Sequence, residues 1–97
     1  MQRLLLIVNP CAGTKRIPRF FPQIIELFRA RGFESTVYMT NGRGDATDIV
    51  RERGGDFDRI VCAGGDGTFN EVITGLLSAG LTTPLGEMPC WGDNDVR

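Results

Sequence analysis

The feature that most restricts what this chain can fold into is Val61-Cys62-Ala63-Gly64-Gly65-Asp66-Gly67-Thr68-Phe69-Asn70-Glu71. The apolar run from Arg59 to Ala63 reads as a short strand buried on both faces, the habit of parallel sheets. It empties into three glycines around one aspartate. A helix then follows, with Phe69, Val72, Ile73, Leu76 and Leu77 recurring at helical spacing. Thr68-Phe69-Asn70-Glu71 has the spacing of a capping box, which predicts Thr68 accepting from the Glu71 amide while Glu71 reaches back. Strand, glycine turn and helix start together offer free backbone N–H groups and a positive helix end to an anion. The glycines let the backbone approach that anion without an intervening Cβ. The plainer alternative is a tight strand-to-helix turn needing positive φ. Three glycines and an acid exceed what such a turn requires, and this favours a phosphate site.

Two familiar phosphate loops are excluded. There is no Gly-x-x-x-x-Gly-Lys-Ser/Thr, because the sole lysine is Lys15. The dinucleotide fingerprint also fails, since Asn70 stands where a third Gly or Ala should follow Gly65 and Gly67.

Ninety-seven residues make one domain, 1–97, small for an α/β architecture. The formal net charge of −1 gives no basic footprint for nucleic acid, so no nucleic-acid partner is expected. Cys11, Cys62 and Cys90 have no metal-ligand spacing, and an odd count argues against a disulfide framework. Cys62 reads as a buried strand filler, and the set fits a reduced, cytoplasmic setting. Gln2 to Val8 is too short for a signal peptide or membrane span. Membrane contact is therefore expected to be peripheral.

Leu4 to Val8 reads as a central parallel strand ending at Asn9-Pro10, followed by a turn-rich loop to Thr14. A first helix is expected from about Pro18 or Pro22 to Arg31, with Phe21, Ile24, Ile25, Leu27 and Phe28 inward and Gly32 as its stop. Glu34 to Thr40 reads as a second strand, broken by Asn41-Gly42-Arg43-Gly44. Asp45 is expected to cap a short helix whose apolar positions are Ala46, Ile49 and Val50, closed by Gly54-Gly55. The third strand, the glycine loop and a helix to about Ala79 follow, and Thr83 to Gly86 leads toward a fourth strand. This alternation predicts a three-layer α/β/α, doubly wound, mostly parallel sheet. Ligands of such sheets bind beyond the carboxyl ends of the strands. Three loops should meet there: Asn9 to Thr14, Thr40 to Asp45, and Gly64 to Thr68.

These loops resemble, in order, those of the diacylglycerol kinase catalytic domain family, which includes bacterial lipid kinases, sphingosine kinases and ceramide kinases. Asn9-Pro10-Cys11-Ala12-Gly13 resembles its Asn-Pro-x-small-Gly loop, and Thr40 with Gly44-Asp45-Ala46 its Thr…Gly-Asp-Ala element. Gly64 to Val72, continued by Gly75-Leu76, resembles its signature. The resemblance covers nearly the whole chain and implies the N-terminal, nucleotide-binding part of an ATP- and magnesium-dependent lipid kinase. It implies that Asn9, Pro10, Cys11, Ala12 and Gly13 shape a loop beside the nucleotide and that Thr40 contacts it. Gly64, Gly65, Asp66, Gly67 and Thr68 would hold the phosphates. Asp66, the residue assigned to catalysis, would sit near phosphate-bound Mg2+ through water, and Asn70 would bond nucleotide or loop. Each has a plain structural alternative: Asn9-Pro10 as a strand end, Thr40 as a strand residue, Asn70 as a first-turn helix residue. Glu71 is read as a cap.

NAD kinases and phosphofructokinases carry a similar Gly-Gly-Asp-Gly loop. Asn70-Glu71-Val72 and the Asn9-Pro10 loop favour the lipid kinases. The resemblance weakens after Gly86, where Glu87 puts a carboxylate into an expected strand and Trp91-Gly92-Asp93 replaces Gly-Thr-Gly. The family's second, β-rich domain supplies the lipid pocket, the base and the main metal ligands. By itself the chain is therefore expected to be an inactive fragment, associating as a homodimer through its open sheet edge. The alternatives are a non-catalytic nucleotide-binding or association module and a NAD kinase-like fragment.

Overall fold

The computed structural model describes residues 1–9 and 21–88. Its elements are β1 (Gln2–Val8), α1 (Phe21–Ala30), β2 (Phe33–Met39), α2 (Asp45–Arg53), a 3-10 turn (Gly54–Asp56), β3 (Arg59–Ala63), α3 (Asp66–Ala79) and β4 (Leu85–Met88). All paired strands are parallel, in the order β2-β1-β3-β4. This is the expected doubly wound α/β sheet, with β1 inside it.

Leu4, Leu5, Leu6, Ile7 and Val8 are each at most 1% exposed. A continuous apolar run is what a strand covered on both faces needs. The pleat divides it. Leu5 and Ile7 join Ala46, Ile49, Val50, Ile60, Cys62, Val72 and Leu76 in the core beneath α2 and α3. Leu4, Leu6 and Val8 join Phe21 and Val61, with Ile25 and Phe28 of α1 packed against them. α1 carries the chain from β1 to β2, whereas α2 and α3 carry it the other way, over β1 to β3 and on to β4. Right-handed crossovers running in opposite directions place their helices on opposite faces of a sheet.

Two helix faces differ from the sequence pattern. Leu27 is 59% exposed, because six residues after Phe21 it falls off the stripe formed by Phe21, Ile25 and Phe28. Leu77 is 75% exposed. The buried side of α3 is Thr68, Val72, Gly75 and Leu76. It is rotated from the purely apolar pattern because Gly75 sits where α3 meets α2: a Cβ there would lie 2.7 Å from the Thr47 carbonyl oxygen.

β4 pairs with β3 over four residues, and Glu87 is exposed. A carboxylate that would be costly to bury is tolerated in this edge strand because it reaches solvent. Burial pushes the Cys62 thiol up to about 11, and Glu87, its register partner, adds to the effect. At neutral pH Cys62 is a protonated core filler with little nucleophilic character. Among the described residues no helix is long and apolar enough to cross a membrane.

Candidate functional site

The chain reverses its direction of travel across the sheet between β1 and β3, and there the strand ends open into a cleft of about 290 Å³. Its lining is Asn9, Thr40, Gly42, Arg43, Gly64, Gly67, Thr68 and Glu71. Residues following β1, β2 and β3 all contribute. The expected convergence of loops is thus present, although Pro10, Cys11, Ala12 and Gly13 lie outside the described residues.

The ends of the strands are fastened together. Asn9 N–H donates to the Ala63 carbonyl and Thr40 N–H to that of Val8, both at 2.9 Å. The Asn9 side chain donates through Nδ2 to Thr68 Oγ1 at 3.0 Å, so Asn9 ties the end of β1 to the first turn of α3. Gly64 lies between them. A Cβ on it would come within 2.6 Å of Asn9 Cβ and 2.8 Å of Thr68 Oγ1. Only glycine lets the turn pass this close to β1.

Gly65 has φ 97 and ψ −175 and precedes the first helical residue, Asp66, with no side-chain cap. The capping box expected at Thr68 and Glu71 is absent because the helix starts two residues before Thr68. Thr68 is instead the third helical residue and is only 5% exposed. Phe69 N–H closes the first helical bond, onto the Gly65 carbonyl at 3.1 Å. The amides of Asp66, Gly67 and Thr68 therefore have no intrahelical acceptor. They stand at the positive end of α3, as an anion-binding turn requires.

Asp66 and Asn70 are exposed, and neither they nor Gly65 line the cleft. Asn70 enters through its main chain, its carbonyl accepting Thr74 Oγ1 at 2.9 Å. Of the expected site residues, Asn9, Thr40, Gly64, Gly67 and Thr68 meet in the cleft.

The loop after β2 brings in residues that the sequence pattern left unassigned. Asp45 was expected to cap α2; Gly44, in the left-handed region at φ 86, holds that place, and Asp45 is the first helical residue. Its carboxylate turns back to accept Asn41 N–H at 2.7 Å and the Tyr38 hydroxyl at 2.9 Å. That acceptor raises the pKa of Tyr38. Glu71 does not reach back along α3. Its Oε2 accepts Gly44 N–H at 3.0 Å, and its carbonyl accepts Thr47 Oγ1 at 2.8 Å. Arg43 lines the cleft and takes part in no hydrogen bond or ion pair among the described residues. The signal for it was a lone arginine between glycines, in a loop that the topology carries to the sheet's carboxyl end.

No group of three His, Cys, Asp or Glu able to hold a metal exists among the described residues.

Comparison with known proteins identifies the family. Residues 3–97 match the diacylglycerol kinase catalytic domain. The chain is 36% identical over 96 residues to a diacylglycerol kinase of Bacillus subtilis (strain 168), covering 98% of this chain and 32% of that protein. The one from Staphylococcus carnosus (strain TM300) is 34% identical over 95 residues, which cover 97% and 31%. A crystal structure of a diacylglycerol kinase from Bacillus anthracis str. Sterne superposes with a TM-score of 0.78 at 33% identity, over 97% of this chain and 35% of that one. The chain thus spans about a third of the length of the curated relatives it matches. It belongs to the diacylglycerol kinase catalytic domain family.

Proposed function

We propose that residues 1–97 form the ATP-binding half of a lipid kinase that phosphorylates a lipid hydroxyl such as that of diacylglycerol. The observation carrying this is the cleft at the switch point of the sheet, which Gly64, Gly67 and Thr68 of the glycine turn line together with Arg43 and Thr40. Phosphoryl transfer needs positioning and charge neutralisation more than covalent chemistry. In this reading the amides of Gly67 and Thr68 take phosphate oxygens, and Arg43 adds a guanidinium suited to bidentate contact. Asn9 holds the turn in place through Thr68. In this reading Mg2+ arrives on the phosphates, and Asp66 meets it through water.

The lipid pocket and the base belong, in this reading, to the part of the relatives' length that the chain does not span. No histidine is present to act as a base. Calorimetric titration should therefore show uptake of ATP-Mg, whereas labelled ATP should transfer no phosphate to diacylglycerol or sphingosine above a heat-killed control. Tighter binding of NAD than of ATP would sink the assignment; lipid phosphorylation by the purified chain would sink the division of labour.

Self-association is the second part of the proposal. Among the described residues β2 and β4 are the edge strands, and Val37 on β2 is 40% exposed. Sedimentation at several concentrations should reveal a dimer. A strictly monomeric species at high micromolar protein refutes it.

A further inference from the structure

The loop between β2 and α2 is fastened at both ends, by different means. At its start, Asp45 takes the Asn41 amide, a local contact. At its far end the fastening is Glu71, 27 residues away on the second turn of α3. Between these points lie Gly42 and Arg43, both lining the cleft. Glycines at 42 and 44 leave the loop little conformational preference of its own. A carboxylate in the lining of an anion site opposes its ligand by charge, so Glu71 calls for a compensating role. The bond from Gly44 N–H provides one, because hydrogen bonds to an ionised acceptor are among the stronger kinds.

We propose that Glu71 is a positioning residue for the nucleotide site: its carboxylate holds the Gly42–Gly44 loop so that Arg43 faces the same ligand phosphates as the glycine turn. The inference rests on the nucleotide-site reading and deepens it. It separates two properties of one side chain. The acceptor oxygen helps binding by ordering the loop, and the negative charge hinders it. Glu71→Gln keeps an acceptor and loses the charge, whereas Glu71→Ala loses both. A role confined to stability would not weaken binding in one variant while sparing or improving it in the other.

The test is calorimetric titration of the full chain with ATP-Mg, beside amide exchange at Gly44. Glu71→Ala should bind about tenfold more weakly and exchange faster at Gly44. Glu71→Gln should bind as tightly as wild type or more tightly, with Gly44 still protected. Because Glu71 acts through the Arg43 loop, Glu71→Ala combined with Arg43→Ala should lose less than the product of the two single losses. Equal binding by wild type and Glu71→Ala, unchanged Gly44 exchange, or fully multiplicative losses each overturn the inference. Weaker binding by Glu71→Gln than by wild type overturns it without reference to the alanine variant. A wild-type chain that binds no ATP overturns the nucleotide-site reading and this inference with it, which separates the two failures.

Discussion

Gly64→Ala should abolish measurable ATP-Mg binding and cost about 1–3 kcal/mol of stability, the usual range for overpacking. One methyl group is enough because of what surrounds it. The new carbon would stand 2.6 Å from Asn9 Cβ, 2.8 Å from Thr68 Oγ1 and 3.2 Å from the Asn9 carbonyl oxygen. None of these is the free end of a long side chain. Asn9 is held by its amide on the Ala63 carbonyl and by Nδ2 on Thr68. Relief therefore means separating the end of β1 from the start of α3, which widens the cleft and breaks the Asn9–Thr68 bond. Gly67→Ala is the control, since a Cβ there meets no atom within 4 Å and its φ is not positive. Thermal melts should show Gly67→Ala within a few tenths of a kcal/mol of wild type or slightly above it, as helix propensity favours alanine. A Gly64→Ala chain that melts and binds like wild type would show that the β1 end and the turn are not in contact.

Much of this was legible in the sequence because it followed from apolar runs. The run from Leu4 to Val8 is continuous, so its strand had to be covered on both faces, and β3 was bounded by Arg59 and Ala63 as observed. Ala46, Ile49 and Val50 of α2 are all buried as expected. The place where the loops meet in a cleft followed from topology, since parallel strands put their outgoing loops on one edge. What escaped was polar and non-local. The Thr68…Glu71 spacing is that of a capping box, but the helix begins earlier, at Asp66, and both side chains bond across loops instead of along the helix. Asp45 likewise has the residue type of a cap and serves the preceding loop. A hydrogen-bond acceptor in the sequence declares its chemistry, whereas its donor depends on which loops the fold brings near. Thr68 and Gly75, invisible to a hydrophobic pattern, set the true buried side of α3.

Gly75 carries the other large expected effect. Gly75→Val should lower stability by about 3 kcal/mol, the upper part of the overpacking range. In a chain of this size that corresponds to a fall in Tm of roughly 10–20 °C. Helix propensity acts in the opposite direction, since removing a mid-helix glycine gains at most about 1 kcal/mol. The clash wins because of its partners. A Cβ at 75 lies 2.7 Å from the Thr47 carbonyl oxygen and 3.0 Å from Val50 Cβ, both close to or within the backbone of α2. Val50 is fully buried and cannot swing aside. α2 must then move off α3 as a body, carrying Gly44 at its N-terminus away from Glu71. Binding of ATP-Mg should fall even at temperatures where the variant remains folded, so a substitution that does not line the cleft reads out in it. Leu77→Val is the matched control: it places the same β-branched residue on the same helix, but at a position 75% exposed. It should melt within about 1 kcal/mol of wild type and bind unchanged. Equal melting of the Gly75 and Leu77 variants would mean that α2 and α3 do not pack as closely as a glycine contact requires.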